Sequence, residues 1–287
     1  VGGRDLSLGV EGRMTLLALK KLQSDAATDA IVIVSKPPAP QTLLKLERAL
    51  ETINKPVVIA CLGAPAREAG RTLWATTLAD AVGAMLSRLR GQPWRPATFG
   101  DPAGVRKTVA HLDGKSRGKT LLGLFTGGTL AHEAELIALP LLGEVAYGDE
   151  AAMALGRHCI LDLGDDQYTQ GRPHPMIDPL PRAELLLRAG GSAGVVLFDL
   201  VLGRCSNADP AALMADAMRT LTTRLGDAAP VFVGSIVGTR HDSQDAARQA
   251  SQLRAAGAIL MPDNAQATRL AALLLAPKAA EALLPAA

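Results

Sequence analysis

Short β-branched runs alternate with longer amphipathic runs along this chain, and that alternation restricts it to a parallel α/β architecture. "AIVIVS" (Ala30–Ser35) is too short for a helix and apolar to its last position, as in a strand buried on both faces. "QTLLKLERALETI" follows at helical spacing, then "KPVVIACLG" (Lys55–Gly63) as a second buried strand. "RTLWATTLADAVGAMLSRLR" reads as a helix. The order β-α-β-α predicts a parallel sheet with right-handed crossovers. A stretch rich in Pro, Gly and charge then intervenes, and a second series begins. Its strands are "TLLGLF", "HCILDL", "GVVLFDLVLG", "PVFVGSIVG" and "AILM", separated by helical runs that include "TGGTLAHEAELIALPLL" and "DPAALMADAMRTLTTRL". Five strands suffice for one flavodoxin-like domain.

The expected fold is therefore α/β, with two flavodoxin-like three-layer domains built on parallel sheets. The boundaries read as 1–92, a linker at 93–118 with one short helix, and 119–287. A length of 287 residues and an apolar content of 48% support cores of that size, and the 3% aromatic content suits aliphatic α/β layers. The net charge is +2 without a basic block, which argues against nucleic acid. The longest apolar runs are strand-length or broken by charge, so no membrane span is expected. Cys61, Cys159 and Cys205 are far apart and form no CxxC pair, which argues against a disulfide framework or a zinc site. With no signal-peptide pattern, a reducing cytoplasm is the simplest expectation.

The two series repeat one another. "DAIVIVSKPPAPQTLLKLERALETINKPVVIACLG" matches "AGVVLFDLVLGRCSNADPAALMADAMRTLTTRLGDAAPVFVGSIVG" in order and hydrophobicity, with Val32 opposite Val196. Upstream, "GGRDLSLGVEGRMTLLALKKL" pairs with "GRPHPMIDPLPRAELLLRA". The second copy carries two further strands before this point. The expectation is that Val1 lies inside a domain, after a lost strand, and that the exposed sheet edge is covered by a partner or by the lost segment.

"LQSDAATDAIVIVSKPPAPQTLLKLERALETINKPVVIACLGA" resembles the second domain of the succinyl-CoA synthetase α subunit. "GLFTGGTLAHEAE", "GRPHPMID", "GVVLFDLVLG" and "PVFVGSIVGT" resemble the carboxy-terminal domain of its β subunit. Their fusion, together with "LGDDQYTQGRPHPMIDP", is similar to the FdrA family of acyl-CoA-synthetase-like proteins. That resemblance implies CoA or a phosphate-bearing substrate handled through missing or partner domains, with other subunits of the same enzyme system and an oligomeric assembly. It also implies a link to oxamate carbamoyl transfer in allantoin (purine) breakdown. In acyl-CoA synthetases a histidine near the end of the α-type domain carries phosphate. The matching stretch, Val57 to Leu73, contains none; the five histidines are His111, His132, His158, His174 and His241. The phosphohistidine relay is therefore expected to be absent, as are the nucleotide-grasping and amino-terminal CoA-binding domains.

Several residues could carry chemistry. Gly127 and Gly128 sit between a strand and a helix, where free N–H groups and the helix dipole favour an anion, and Thr129 can add a hydroxyl or cap the helix. The bland alternative is a tight turn without a ligand. Gly203, Arg204 and Ser206 follow a buried strand in "VLGRCSNADP", where Arg204 could clamp a carboxylate or phosphate. Asp209 is expected to cap the next helix, with Pro210 at its first position. In the first copy "SKPPAP" takes this place; its prolines lack N–H groups, which leaves Lys36 as a point charge or a purely structural segment. In the second copy Arg172 and His174 could meet an anionic substrate, with Asp178 orienting either and His174 as an acid–base candidate. Asp165 and Asp166 read as a solvated turn rather than a metal site, and no metal is expected. Cys205 reads as incidental, although a helix start favours a thiolate.

Three functions stay open: a subunit of a carbamoyl- or acyl-group transferase, an acyl-CoA ligase completed by partner domains, and a non-catalytic scaffold or regulatory subunit. The transferase reading has the candidate helix N-termini of both domains facing one anionic site.

Overall fold

The β-branched runs form strands, and the strands are predominantly parallel, because most are joined by a helical connection that returns the chain to the same sheet end. The computed structural model describes residues 3–112 and 118–284. The chain divides into two units, Val1–Ala97 and Thr98–Ala287.

The first unit runs α1 (Arg13–Ser24), β1 (Ile31–Ser35), α2 (Pro40–Glu51), β2 (Val57–Cys61), β3 (Arg67–Ala69), β4 (Thr72–Ala75) and α3 (Leu78–Leu89). Its sheet order is β1-β2-β4-β3. β1, β2 and β4 are parallel, with Ile31 opposite Val57 and Val57 opposite Thr72, while β3 runs antiparallel to β4. The period-two alternation of β2 divides the core. Val57 and Ile59 join Leu19, Leu46 and Trp74 on one face, and Val58 and Ala60 join Ala81 and Met85 of α3 on the other.

Two expectations change here. "RTLWATTLADAVGAMLSRLR" is a strand followed by a helix, since Gly70 at φ +58° turns the chain into a hairpin. Trp74 then enters the core with Arg67 stacked 4.3 Å above its ring. The Thr77 side chain accepts from Asp80 N at 3.1 Å, which starts α3 only at Leu78. "AIVIVS" is an edge strand, buried on one face only. Ile31 is buried, whereas Val32 and Val34 are 43% and 51% exposed. A continuous β-branched run has no period, so it cannot report which face is covered.

The start of α1 is held from outside the helix. Its N-cap, Gly12, is left-handed and offers no side chain, and Asp5 reaches over instead. The Asp5 carboxylate accepts from Met14 N (3.0 Å), Thr15 N (2.9 Å) and Thr15 Oγ1 (2.6 Å). Burial pushes its pKa up, but these donors outweigh it and hold the group below its ordinary value.

The second unit runs α4 (Pro102–Leu112), β5 (Leu121–Phe125), α5 (Gly128–Leu142), β6 (Val145–Tyr147), α6 (Ala151–Ala154), β7 (His158–Asp162), α7 (Asp166–Thr169) and α8 (Leu180–Ala189). It continues with β8 (Val195–Val201), α9 (Pro210–Leu225), β9 (Val231–Val237), α10 (Ala246–Ala255), β10 (Ile259–Met261), α11 (Asn264–Leu275) and α12 (Ala280–Leu283). The sheet is parallel throughout, in the order β10-β9-β8-β5-β7-β6. The five expected strands fall in the flavodoxin-like order, and the short β6 adds an unexpected edge next to β7. Val196, Phe198 and Leu200 of β8 pack with α8 and α9, whereas Val195 and Leu197 pack with α5 and α11. In β9 a Cβ on Gly234 would lie 2.6 Å from Phe198 Cζ, so the glycine makes room for that ring.

The stretch expected to be a linker is more structured than its composition suggests. Val105 of α4 is buried in the same cluster as α11. Gln266 Oε1 accepts from Gly100 N at 2.8 Å, and Arg269 donates to Thr98 O at 3.0 Å. Residues 98–112 thus belong to the second unit; residues 113–117 lie outside those described. Among the described residues, no helix is long and apolar enough to cross a membrane.

Two stability predictions follow from these contacts. Asp5→Ala should destabilise α1 by about 1–2 kcal/mol, read as amide exchange across residues 13–24 accelerating by roughly 5- to 30-fold. His158 supplies the second. Its Nδ1 accepts from Leu121 N at 3.0 Å, and burial lowers its pKa from 6.5, so the folded state keeps the ring neutral. Between the lowered value and 6.5 the unfolded chain binds a proton that the folded chain refuses. Stability should therefore be fully present above pH 6.5 and fall as the pH drops through this window. Melting curves of wild type and His158→Asn across pH 5–8 should differ in slope.

Candidate active site

In the second unit the connections from β5 onward proceed in opposite directions on the two sides of the β5/β8 pair. Such a reversal leaves a crevice at the carboxyl ends of the strands, the usual ligand edge of a doubly wound sheet. Two predicted loops meet this edge: Thr126–Gly128 after β5 and Leu202–Asp209 after β8.

Gly127 is the N-cap of α5, and no side chain caps this helix. Its first-turn N–H groups therefore retain donor capacity, reinforced by the helix dipole. A Cβ built on Gly127 meets nothing within 4 Å, so the approach to the turn is open. Gly128 begins the helix. Thr129 is exposed and does not cap the helix as expected, because the cap position falls two residues earlier.

The buried hydroxyl at this turn belongs to Thr126. Its N–H and Oγ1 donate to Asp199 Oδ1 at 2.8 and 2.7 Å. Arg182, in the first turn of α8, contacts Thr126 Oγ1, Asp199 O and Asp199 Oδ1, each at 2.8 Å. Arg182 and Asp199 are 2% and 0% exposed. Burial pulls the guanidinium below its ordinary pKa, and Asp199 opposes that shift; the group nonetheless stays charged. Sequence reasoning missed this trio, although Asp199 is the one ionisable residue within "GVVLFDLVLG".

His174 joins the same edge. A Cβ on Gly164 would lie 2.6 Å from His174 Nε2, 2.7 Å from Thr126 O and 3.3 Å from Asp162 Oδ1, so these atoms converge around that glycine. Met176 N donates to His174 Nδ1 at 3.2 Å, which assigns the proton of the neutral ring to Nε2. The His174 loop is tied to the loop after β8. Met176 O and Ile177 O accept from the Asn207 backbone (2.7 Å) and side chain (3.2 Å). Gln244, buried after β9, donates to Gly203 O and Ser206 Oγ at 2.8 Å each.

The other expected residues separate into different roles. Ser206 Oγ donates to Gly203 O at 2.7 Å, so its hydroxyl is engaged within the loop. Arg204 is exposed and makes no hydrogen bond to the described residues, as does its neighbour Cys205, at φ +67°. Asp209 occupies the N-cap position of α9 without capping it; its carboxylate instead holds Arg248 (2.8 Å) and Gln249 (3.0 Å) of α10. Asp178 accepts from Leu180 N at 3.1 Å and so closes the entry to α8. Arg172 lines a cleft of about 640 Å³ with Glu150, Tyr168, Glu184 and Arg188, a lining that includes neither Gly127 nor Arg204. Asp165 accepts from Gln167 N and caps α7. Lys36 lies in the first unit, exposed after β1.

In the second unit neither Cys159 nor Tyr147 is a ready nucleophile. Burial pushes the Cys159 thiol up to about 12. Burial, then Asp162 and Glu135, push the Tyr147 phenol up to about 12. What the edge offers is fixed donors, suited to stabilising an anion.

This arrangement has relatives. The uncharacterized protein YahF of Escherichia coli (strain K12) is 31% identical over 289 residues, an alignment covering 94% of this chain and 55% of the relative. The chain thus spans about half the length of that protein. Among solved structures, ATP citrate lyase from Methanothrix soehngenii, in complex with citrate and coenzyme A, aligns with 96% of this chain and 39% of its own. That alignment has a TM-score of 0.34 at 10% identity. The CoA-ligase family profile matches residues 124–274, from the end of β5 through α11, and so takes in both loops of the crevice. On the strength of that match and of the YahF alignment, this chain belongs to the CoA-ligase family.

Proposed function

We propose that this chain is an FdrA-like subunit of a transferase that moves a carbamoyl or acyl group between small anions. The observation that carries the reading is the uncapped start of α5, open at the β5/β8 crevice and bordered by His174. The backbone N–H groups of that turn would hold a phosphate or carboxylate, and Arg204 is free to reach the same charge. With its proton on Nε2, His174 is set to donate, which suits charge building on a leaving phosphate. Transfer from carbamoyl phosphate to oxamate forms a C–N bond and breaks the C–O bond to phosphate, and the proton lost from the oxamate nitrogen leaves with the phosphate as hydrogen phosphate. If CoA is the acceptor, it would supply a thiol, and its phosphates are the part these donors fit.

The family match supports a second reading, an acyl-CoA ligase working with partner domains. The lack of a histidine in Val57 to Leu73 weighs against it. In either case the chain acts on a small anionic substrate alongside other subunits, in an oligomer within the cytoplasm.

A thermal-shift and calorimetry panel of phosphate, carbamoyl phosphate, oxamate, CoA and ATP tests this. Ligand at 100 times its Kd should add about 2.7 kcal/mol of stability. Carbamoyl phosphate and oxamate should shift the melting curve; a response to CoA and ATP alone favours the ligase, and no response favours a scaffold. Gly128→Pro removes one donor at a helix position that accepts proline, and Arg204→Gln removes the free cation. Each should weaken anion binding by about tenfold, a loss near 1.4 kcal/mol. Gly164→Ala places a methyl against His174 and the Thr126 carbonyl, and should cost about 1–3 kcal/mol of stability by urea denaturation.

A further inference from the structure

The Arg182–Asp199 pair is placed where stability alone gives little reason for it. Both groups are almost fully removed from water, and a buried ion pair seldom stabilises more than apolar side chains of the same size. The pair is also incompletely matched. Arg182 Nε and Asp199 Oδ2 have no partner among the described residues. The same is true of Ser235 Oγ, buried on β9 opposite Asp199. Three side chains more than nine-tenths buried thus keep polar capacity unspent at the carboxyl edge, against the usual satisfaction of buried polar groups.

The contacts that are made converge on one turn. Asp199 Oδ1 accepts both donors of Thr126, and Arg182 Nη1 holds Thr126 Oγ1 and Asp199 together. Thr126 is the last residue before Gly127 and Gly128. Two adjacent glycines have no side chain to fix them and a wide range of backbone angles. Directed N–H donors need a rigid support to be effective.

We propose that Arg182 and Asp199 are positioning residues for the β5–α5 turn: by pinning Thr126 they fix where the first N–H groups of α5 point. This deepens the anion-site reading and rests on it for its functional meaning, while the pinning itself can be measured without any ligand.

The test uses the full chain in three forms: wild type, the double variant Arg182→Met with Asp199→Leu, and Thr126→Val. The double variant removes both charges together, so neither is left buried alone. Backbone ¹⁵N relaxation of Gly127 and Gly128 is compared with that of residues 121–125, and inorganic phosphate binding is titrated. In the wild type both glycines should have order parameters of about 0.85, falling below about 0.6 in the double variant while β5 stays rigid. The phosphate Kd should rise about tenfold with little change in melting temperature. Unchanged glycine order in a folded double variant overturns the proposal. If that variant does not fold, Thr126→Val, which deletes the hydroxyl contacts to Arg182 and Asp199 and keeps the N–H bond to Asp199, should lower the glycine order part-way, and unchanged order overturns the role of Arg182 in pinning the turn. A wild type that binds no phosphate removes the anion-site reading, and the glycine order still determines whether the turn is pinned.

Discussion

Three elements of the second unit meet at one buried ion pair. Asp199 sits inside β8, Arg182 lies in the first turn of α8, and Thr126 directly follows β5. The α8 side chains that follow Arg182, such as Leu185 and Leu186, pack on the face shared with Val196 and Phe198. Asp199 has the opposite strand parity, that of Val195 and Leu197. Arg182 therefore reaches from the helix layer on one face to a residue assigned to the other. The sheet permits this only near its edge, where strand order reverses and the loops above β5 and β8 part.

Around that point, loop is tied to loop rather than left to solvent. Asn207 joins the His174 segment to the loop after β8, and Gln244 joins the same loop to the one after β9. Asp209, available for helix capping, instead binds α10. The outcome is a set of backbone donors held by side chains that do not themselves reach the open space. Hydrogen bonds of this kind gain strength from their low-dielectric surroundings, and donors fixed beforehand need not reorganise when charge arrives.

The legibility of the chain follows the physics of each signal. β2 and β8 were readable because a strand buried on both faces is apolar throughout. β1 carries the same type of run and is half exposed, since composition cannot tell an edge from a centre. "RTLWATTLADAV" concealed a strand because apolar residues at two-residue and helical spacing overlap over so few positions, and a left-handed Gly70 with a capping Thr77 settled the matter. Among the candidate site residues, Gly127, Gly128 and His174 come to one edge, while Arg172 faces a separate cleft despite lying two residues from His174. Residues two apart in a proline-rich segment need not share a direction.

The sequence by itself determined the α/β class, the repeated strand–helix order and the glycine turn after β5, because periodicity and glycine content are local properties. Only the tertiary structure decided that Thr126 is the buried hydroxyl at that turn and that Thr129 does not cap it, that Asp209 would not cap, and that Arg182 and Asp199 would meet. Those outcomes depend on contacts between residues 17 to 73 positions apart, and no local pattern records which buried charge will find which partner.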